Sequence, residues 1–347
     1  MNIDILSENQ LETLSRLINQ SSSIVICCHK SPDGDALGSS LALAQYLQAL
    51  GKTPAVAIPD ACPDFLQWLP SFSQSVVRYD KHPDTVNSAF QKADLVFCLD
   101  FNTPARLSDM QAAFDASSAP RIMIDHHLSP DMPGTELAIS LPDMSSTCEL
   151  LFRVIWQMGG FSQLTPGAAA CLYCGMMTDT GGFTYNSSRP EIFLIISYLL
   201  SKGIDKDEIY NRVFHNFSSW CIRMRGYVMY QKLNVLDDVH AAWFALTREE
   251  MTRFHFIKGD AEGLVNVPLT IKGLKMSISL REDTQKDNTI WVSLRSSNGF
   301  HCREVAEQFF NGGGHADAAG GKLMCSMEEA EAITRRAIAA FADRLKG

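Results

Sequence analysis

The segment SIVICCHKSPDGD, residues 23–35, passes directly from an apolar run into a histidine and two aspartates. Two further segments repeat this pattern, DLVFCLD at residues 94–100 and RIMIDHH at residues 121–127. Short apolar runs rich in Ile, Val and Leu are typical of parallel strands that are buried on both faces. Ligand sites of open parallel sheets lie just beyond the carboxyl ends of their strands. The three segments therefore predict a buried parallel sheet with a polar site at its strand ends.

Around these segments the first part of the chain alternates between strand-like and helix-like patterns. Leu11, Leu14 and Leu17 have helical spacing, and further helices are predicted at 36–50, 166–177 and 191–200. This alternation predicts a doubly wound α/β domain with a mainly parallel sheet, which we assign to residues 1–200. Residues 201–235 are interpreted as a helical linker.

The pattern changes beyond residue 235. Strands are predicted at 240–245, 275–280 and 289–294, and helices at 305–310 and 327–345. We therefore predict a smaller α+β domain at residues 236–347.

Composition excludes several classes of protein. A chain of 347 residues can build two hydrophobic cores, and a net charge of −9 disfavours a protein that coats long duplex nucleic acid. No apolar run approaches the ~20 residues that a membrane span needs, and the first residues do not resemble a signal peptide. We predict a cytoplasmic protein that binds no membrane. The ten cysteines are interpreted as reduced and buried, including the CxxC pair Cys171 and Cys174.

The loop after the first strand offers a mixed set of metal ligands. Asp33 and Asp35 are two residues apart, so an extended loop would point both carboxylates to one side, and His29 begins that loop. Carboxylates combined with imidazoles suit Mn²⁺, Fe²⁺, Co²⁺ or Zn²⁺ better than Mg²⁺ or Ca²⁺. The alternative is a solvated Asp-Gly turn with a structural histidine.

The other strand ends enlarge this set. Asp100 follows one strand, and His126, the first of two adjacent histidines, follows another. Asp179 follows a predicted helix. Each of these acids could instead be a capping or surface residue. Together the candidates give four carboxylates and two imidazoles, which is enough to hold two cations with Asp100 as a bridge. Paired metals about 3.5–4 Å apart are suited to in-line hydrolysis of a phosphate ester or anhydride.

A glycine-rich segment in the second domain is a candidate for binding the substrate. Successive backbone N–H groups of Gly312, Gly313 and Gly314, followed by His315, could form a concavity that binds an anion. Arg295 ends a predicted strand and could present its planar guanidinium to a phosphate. A flexible linker and an ordinary surface arginine are the alternatives.

In combination, these segments resemble the DHH phosphoesterase superfamily and its accompanying DHHA1 domain. The resemblance covers almost the whole chain and rests on HKSPDGDALGS at 29–39, Asp100, DHH at 125–127, TDTG at 178–181 and GGGHADAAG at 312–320. It implies that His29, Asp33 and Asp100 hold one metal and that Asp35, Asp100, His126 and Asp179 hold the other, usually Mn²⁺. It further implies that Asp125 orients a histidine and that His127 contacts the scissile phosphate. By the same resemblance Arg295, Gly312, Gly313, Gly314 and His315 bind the phosphate end or base of the substrate.

Within the superfamily the chain looks most like the nanoRNase type. That resemblance implies a two-metal phosphodiesterase whose substrates are short RNA oligonucleotides and nucleotide bisphosphates such as 3′-phosphoadenosine 5′-phosphate. Cyclic or linear dinucleotide phosphodiesterases and RecJ-like single-strand exonucleases are the enzymatic alternatives. A nucleotide-binding sensor without catalysis is the alternative from another class. The sequence leaves the oligomeric state open, with a homodimer as one option.

Overall fold

The computed structural model describes residues 3–257 and 259–347 and divides the chain into two compact units. The division lies between Asn216 and Phe217, inside the segment predicted as a helical linker. That segment is largely helical, with one helix in each unit, α9 at Lys206–Phe214 and α10 at Ser219–Tyr227. No helix of the described residues is both long enough and apolar enough to span a membrane.

The first unit contains a six-stranded sheet in the order β3-β2-β1-β4-β5-β6, with every neighbouring pair parallel. This sheet confirms the predicted doubly wound α/β class. Its strands are β1 Ile24–Cys28, β2 Ala55–Ile58, β3 Val76–Arg78, β4 Leu95–Leu99, β5 Arg121–Asp125 and β6 Thr135–Ser140. The helices of this unit are α1 Glu8–Gln20, α2 Gly34–Ala49, α3 Phe72–Ser75, α4 Pro83–Lys92, α5 Gln111–Asp115, α6 Thr147–Gln157, α7 Pro166–Asp179, α8 Pro190–Ser201 and α9.

Hydrophobic cores cover both faces of this sheet. Ile24 and Ile26 of β1 belong to the larger core, whereas Val25 and Cys27 belong to a second core on the opposite face. Alternate residues of a strand point to opposite faces, so an uninterrupted apolar strand supplies both cores at once. The continuous apolar runs of β1, β4 and β5 follow from this requirement.

The order of the strands places the polar segments next to one another. From β1 the chain proceeds outward to β2 and β3, then returns to the other side of β1 as β4. Cys28 at the end of β1 is paired with Leu99 at the end of β4. Residues that follow these two strands therefore lie at the topological switch point, where open α/β sheets bind their ligands.

Helices α2 and α7 pack closely because glycines line their contact. A Cβ atom at Gly38 would lie 2.5 Å from the backbone oxygen of Cys171. A Cβ atom at Gly175 would lie 2.2 Å from Cys148 Sγ and 3.0 Å from Asp35 Oδ1. Cys171 and Cys174 are fully buried in α7, and all the described cysteines are free thiols, as predicted.

The second unit contains a mixed sheet in the order β11-β12-β10-β9-β8-β7. Its elements are α10, β7 Asn234–Leu236, β8 Ala241–Leu246, α11 Arg248–Arg253, β9 Met276–Glu282, β10 Ile290–Ser296, α12 Arg303–Phe309, β11 Gly313–Gly314, β12 Ala318–Leu323, α13 Met327–Ala340 and α14 Ala342–Lys346. The α+β class of this part is thereby confirmed. Two details of the sequence reading are wrong: the glycine-rich segment forms strands β11 and β12, and the last predicted helix is divided at Phe341.

Replacing Gly38 with alanine is expected to destabilise the first unit by about 1–3 kcal/mol, because the backbone of α7 cannot move away from the added methyl group without loss of packing. Amide hydrogen exchange in α2 measures this loss. Gly226 in α10 is the matched control, since nothing lies within 4 Å of its added Cβ. There alanine should be neutral or stabilise α10 by up to about 1 kcal/mol. Unchanged exchange in α2 of the Gly38→Ala variant would contradict the packing argument.

Candidate metal centre

The first group of candidate ligands surrounds the end of β1. His29 is buried, and its Nε2 lies 3.8 Å from Asp33 Oδ2. The expectation that Asp33 and Asp35 share an extended loop is wrong, because Asp35 lies in the first turn of α2. Asp33 is the N-cap of that helix, and its Oδ1 accepts the backbone N–H groups of Asp35 and Ala36 at 3.1 and 3.0 Å. Its Oδ2 is the oxygen directed toward His29.

Asp100 lies between two groups of ligands. Its Oδ2 is 3.4 Å from His29 Nε2, and its Oδ1 is 3.6 Å from His126 Nε2. The backbone at Asp100 adopts φ of 63°, a left-handed conformation that is rare for a residue with a side chain and is often found at functional sites. One carboxylate thus presents a different oxygen to each histidine.

The second group combines residues from three elements. His126 Nε2 lies 3.9 Å from Asp35 Oδ2 and 3.3 Å from Asp179 Oδ2. Asp179 is the last residue of α7, so the close packing of α7 on α2 places its carboxylate beside Asp35. The candidate ligand atoms of these three residues lie within 4.8 Å of one another, as do those of His29, Asp33 and Asp100.

Hydrogen bonds to the backbone orient the two histidines. His29 Nδ1 lies 2.8 Å from the carbonyl oxygen of Lys30, and His126 Nδ1 lies 3.2 Å from that of Met144. A carbonyl oxygen can only accept, so Nδ1 carries the proton and Nε2 of the neutral ring presents a lone pair. These lone pairs face carboxylate oxygens at 3.3–3.9 Å. Ligands around an ion at about 2.1 Å are separated by similar distances, so the donor set fits two cations.

Burial and neighbouring charges shift the pKa values of this cluster. Burial opposes protonation of His29, but the carboxylates of Asp100 and Asp33 outweigh it and raise its pKa. Burial likewise opposes protonation of His126, and Asp100 and Asp35 raise its pKa. Asp35 has a raised pKa because of its burial and the negative charges of Asp100 and Asp179. Although burial alone would raise it, the pKa of Asp100 is well below its usual range because the histidines stabilise the carboxylate.

The N-terminus of α6 binds two of these carboxylates. Backbone N–H groups of Thr147 and Cys148 donate to Oδ2 and Oδ1 of Asp35 at 2.6 and 2.8 Å. The Thr147 hydroxyl donates to Asp100 Oδ1 at 3.0 Å. The positive end of a helix dipole and its unpaired N–H groups favour anions at this position. Sequence analysis missed this contact between the start of α6 and the acids.

A buried ion pair anchors the same helix. Glu149 Oε1 accepts from Arg153 at 2.7 Å, and Glu149 Oε2 accepts from Arg189 at 2.7 Å and from the Ser145 hydroxyl at 2.7 Å. Glu149 and Arg153 are almost entirely buried. Loss of one partner in such a pair leaves an uncompensated charge, so this network fixes the first turn of α6 firmly.

His127 belongs to neither of these two groups of three. Its Nδ1 lies 3.7 Å from Asp100 Oδ1, but its shorter contacts are to other residues. Its Nδ1 lies 2.7 Å from Asp125 Oδ1, and its backbone N–H donates to Asp125 Oδ2 at 3.0 Å. The other ring nitrogen, Nε2, lies 2.7 Å from Nη1 of Arg106. Asp125 is fully buried and fixes the orientation of the ring. Sequence analysis missed Arg106 because its separation of six residues from Asp100 matches none of the motifs considered.

The candidate residues of the second unit lie in or beside strands β10 and β11, which both pair with β12. Arg295 in β10 is paired with Ala318 of β12, and its Nε is buried without a hydrogen-bond partner among the described residues. A Cβ atom at Gly312 would lie 1.9 Å from the oxygen of Gly320, and Gly314 has φ of 139°. These glycines therefore permit the close pairing at the edge of the sheet, a structural role that sequence analysis did not anticipate. His315 donates its backbone N–H to Ala318.

Comparison with known proteins assigns the chain to a family. The model of the DHH family, N-terminal domain, matches residues 23–176, and the model of the DHHA1 domain matches residues 249–345. The crystal structure of an exopolyphosphatase-related protein from Bacteroides fragilis is 44% identical, covers 99% of both chains and superposes with a TM-score of 0.94. This chain belongs to the DHH family. It carries a DHHA1 domain and is a hydrolase of phosphodiester bonds.

Two curated relatives of this DHH protein span most of its length. The bifunctional oligoribonuclease and PAP phosphatase NrnA of Thermus thermophilus is 29% identical over 304 residues, which cover 86% of this chain and 84% of the relative. The Bacillus subtilis protein of the same name is 24% identical over 324 residues, which cover 92% of this chain and 95% of the relative. These matches support the resemblance that the sequence motifs indicated.

In the metal-free protein, stability is expected to fall as the pH rises above about 6.5. The folded pKa values of His29 and His126 are raised above 6.5, so their contribution is complete below that pH and is lost as the pH rises through the raised values. Asp35 also has a raised pKa, so its contribution to stability is likewise lost as the pH rises above its ordinary pKa of 3.8. Asp100, whose pKa is lowered, contributes stability that is lost toward strong acid, below this pH range.

Urea unfolding of the chelator-treated protein between pH 6 and pH 9 measures this slope. His126→Asn should flatten it, whereas the same substitution at the exposed His82 should leave it unchanged. A stability that rises with pH in this range would contradict the assignment of the cluster charges.

Proposed function

We propose that this DHH phosphoesterase binds two divalent cations, most suitably Mn²⁺, and hydrolyses very short oligoribonucleotides and 3′-phosphoadenosine 5′-phosphate. The observation that carries this proposal is the Asp100 carboxylate, whose two oxygens face His29 and His126 in separate ligand groups. This is the arrangement that a bridging ligand between two cations requires. In this proposal His29, Asp33 and Asp100 hold one cation, and Asp35, His126, Asp179 and Asp100 hold the other.

The chemistry of the donor set supports this choice of metal. Each group combines one imidazole with carboxylates, a mixture that suits Mn²⁺ better than the all-oxygen environments that Mg²⁺ and Ca²⁺ prefer. The cations would polarise a phosphoryl oxygen and lower the pKa of water so that it can attack phosphorus.

His127 is the residue placed to act on the substrate itself. Because Nδ1 donates its proton to Asp125, Nε2 is the ring nitrogen that can exchange a proton with the substrate. In the proposed reaction Nε2 exchanges its contact with Arg106 for one with the scissile phosphate. The ring then stabilises charge there or, as the imidazolium, protonates the leaving oxygen. Asp125 serves as a positioning residue, because its hydrogen bonds reach the reaction only through His127.

Two sets of observations support a short substrate. Both NrnA relatives are named for oligoribonuclease and PAP phosphatase activity, and each match covers more than four fifths of either chain. In the second unit, Arg295 of β10 and the glycines of β11 lie on either side of β12. Arg295, Gly312, Gly313, Gly314 and His315 are proposed to bind the phosphate or base of that substrate. A cytoplasmic location and a homodimer stay predictions.

Replacing Asp100 with asparagine is expected to lower the stoichiometry of Mn²⁺ binding below two and to reduce dinucleotide hydrolysis at least about 1,000-fold, because a neutral amide bridges cations poorly. Titration calorimetry and single-turnover assays measure the two effects. Asp109→Asn, an exposed aspartate in the 3-10 helix Pro104–Met110, is the matched control and should behave as the wild type. Full turnover in the Asp100→Asn variant would refute the two-cation site.

A series of RNA substrates from two to about twenty-four nucleotides, with 3′-phosphoadenosine 5′-phosphate, a cyclic dinucleotide and inorganic polyphosphate alongside, tests the substrate class. Rates with Mn²⁺ should be highest for two to four nucleotides and fall with length. Rates that rise with length would instead indicate a RecJ-like exonuclease, and preference for the cyclic compound would indicate a cyclic dinucleotide phosphodiesterase. Nucleotide binding without any turnover would indicate a sensor.

A further inference from the structure

Arg106 lies beside the candidate metal centre and is not among the residues assigned to it. It belongs to the 3-10 helix Pro104–Met110, which follows the end of β4. Its carbonyl oxygen accepts the backbone N–H of Lys30 at 2.8 Å, so this helix is attached to the loop that carries His29 and Asp33. Its positive charge opposes protonation of His29, as expected for a guanidinium close to the cluster.

The side chain of Arg106 reaches the atom at which His127 would act. Nη1 lies 2.7 Å from His127 Nε2, the nitrogen left open when Asp125 binds Nδ1. A guanidinium carries five N–H donors in a planar fork, and His127 accepts only one of them. No other acceptor for this guanidinium occurs among the described residues. Arg106 is only half-buried, and its remaining donors are available to a ligand.

The charge balance of the centre also favours a positively charged side chain at the position of Arg106. The cluster contains five carboxylates, Asp33, Asp35, Asp100, Asp125 and Asp179. Two divalent cations would offset four of these negative charges and leave one. A phosphodiester brings a further negative charge, and more charge develops on its oxygens during attack. The guanidinium of Arg106 beside His127 offsets the remaining carboxylate. Its positive charge has the largest effect where water is partly excluded.

We propose that Arg106 is a catalytic residue that binds a non-bridging oxygen of the scissile phosphate beside His127. This inference rests on the proposed phosphodiesterase function. A planar guanidinium presents paired N–H donors that match two phosphate oxygens, whereas an ammonium group acts as a point charge. The competing possibility is that Arg106 only positions His127.

The first test is the substitution Arg106→Met, with Arg106→Lys as the conservative variant. Removal of one fixed donor to a developing oxyanion reduces kcat by about 100- to 1,000-fold, and we expect that loss in dinucleotide hydrolysis. Lysine should restore part of the rate. Mn²⁺ affinity, measured by titration calorimetry, should change less than about threefold. Arg16→Met, an exposed arginine paired with Glu136, is the control and should match the wild type. A rate within threefold of wild type, or a parallel loss of Mn²⁺ affinity, would overturn the proposal.

A double-mutant cycle separates contact with phosphate from positioning of His127. If Arg106 binds phosphate, Arg106→Met should still lower the rate at least about tenfold in a His127→Gln background. No further loss in that background would mean that Arg106 acts only through His127, and the proposal would be wrong.

Product binding tests the contact independently of turnover. The Mn²⁺-loaded Arg106→Met variant should bind AMP at least about tenfold more weakly than the wild type, whereas Arg16→Met should bind it normally. Unchanged AMP affinity would count against the proposal. Should the wild type hydrolyse none of the substrates, the proposed function would fail, and the AMP measurement would still decide whether Arg106 binds phosphate.

Discussion

The N-terminus of α6 is the constraint on which the candidate metal centre depends. Its first two N–H groups bind both oxygens of Asp35, and the Thr147 hydroxyl binds Asp100. Asp35 comes from α2 and Asp100 follows β4, so a single helix end fixes two acids from distant parts of the chain. Without these donors, buried carboxylates would lack the hydrogen bonds that offset their loss of water.

Such a concentration of acids is costly unless cations balance it. The raised pKa values of Asp35, His29 and His126 show that in the metal-free protein the cluster binds protons more tightly than isolated groups do. A bound cation would take the place that these protons occupy in the metal-free protein. The fold therefore holds the ligands in position despite the electrostatic repulsion between them. Such repulsion is common in binding sites that are preorganised before the ligand binds.

Much of this centre could be predicted from sequence because its ligands adjoin strongly patterned elements. The uninterrupted apolar strands β1, β4 and β5 identify a sheet buried on both faces, and the residues after parallel strands must share one edge. His29, Asp100 and His126 follow from that rule. The helical position of Asp35 did not, because the turn in which Asp33 caps α2 was interpreted as an extended loop. Strand β3 carries only partly buried residues and strand β6 is partly exposed, and both lacked a strong pattern.

By itself, the sequence determined the α/β class, the three strands that end in acid and histidine, and the membership of the DHH family. These features depend on local periodicity and on motifs of adjacent residues. Only the tertiary structure decided that Thr147 binds two acids and that Arg106 contacts His127. Each of these contacts joins residues far apart in the chain. They form because glycine-lined helices pack closely and because the direction of strand order reverses at the centre of the sheet. Neither condition can be recognised from the sequence spacing of the residues in contact.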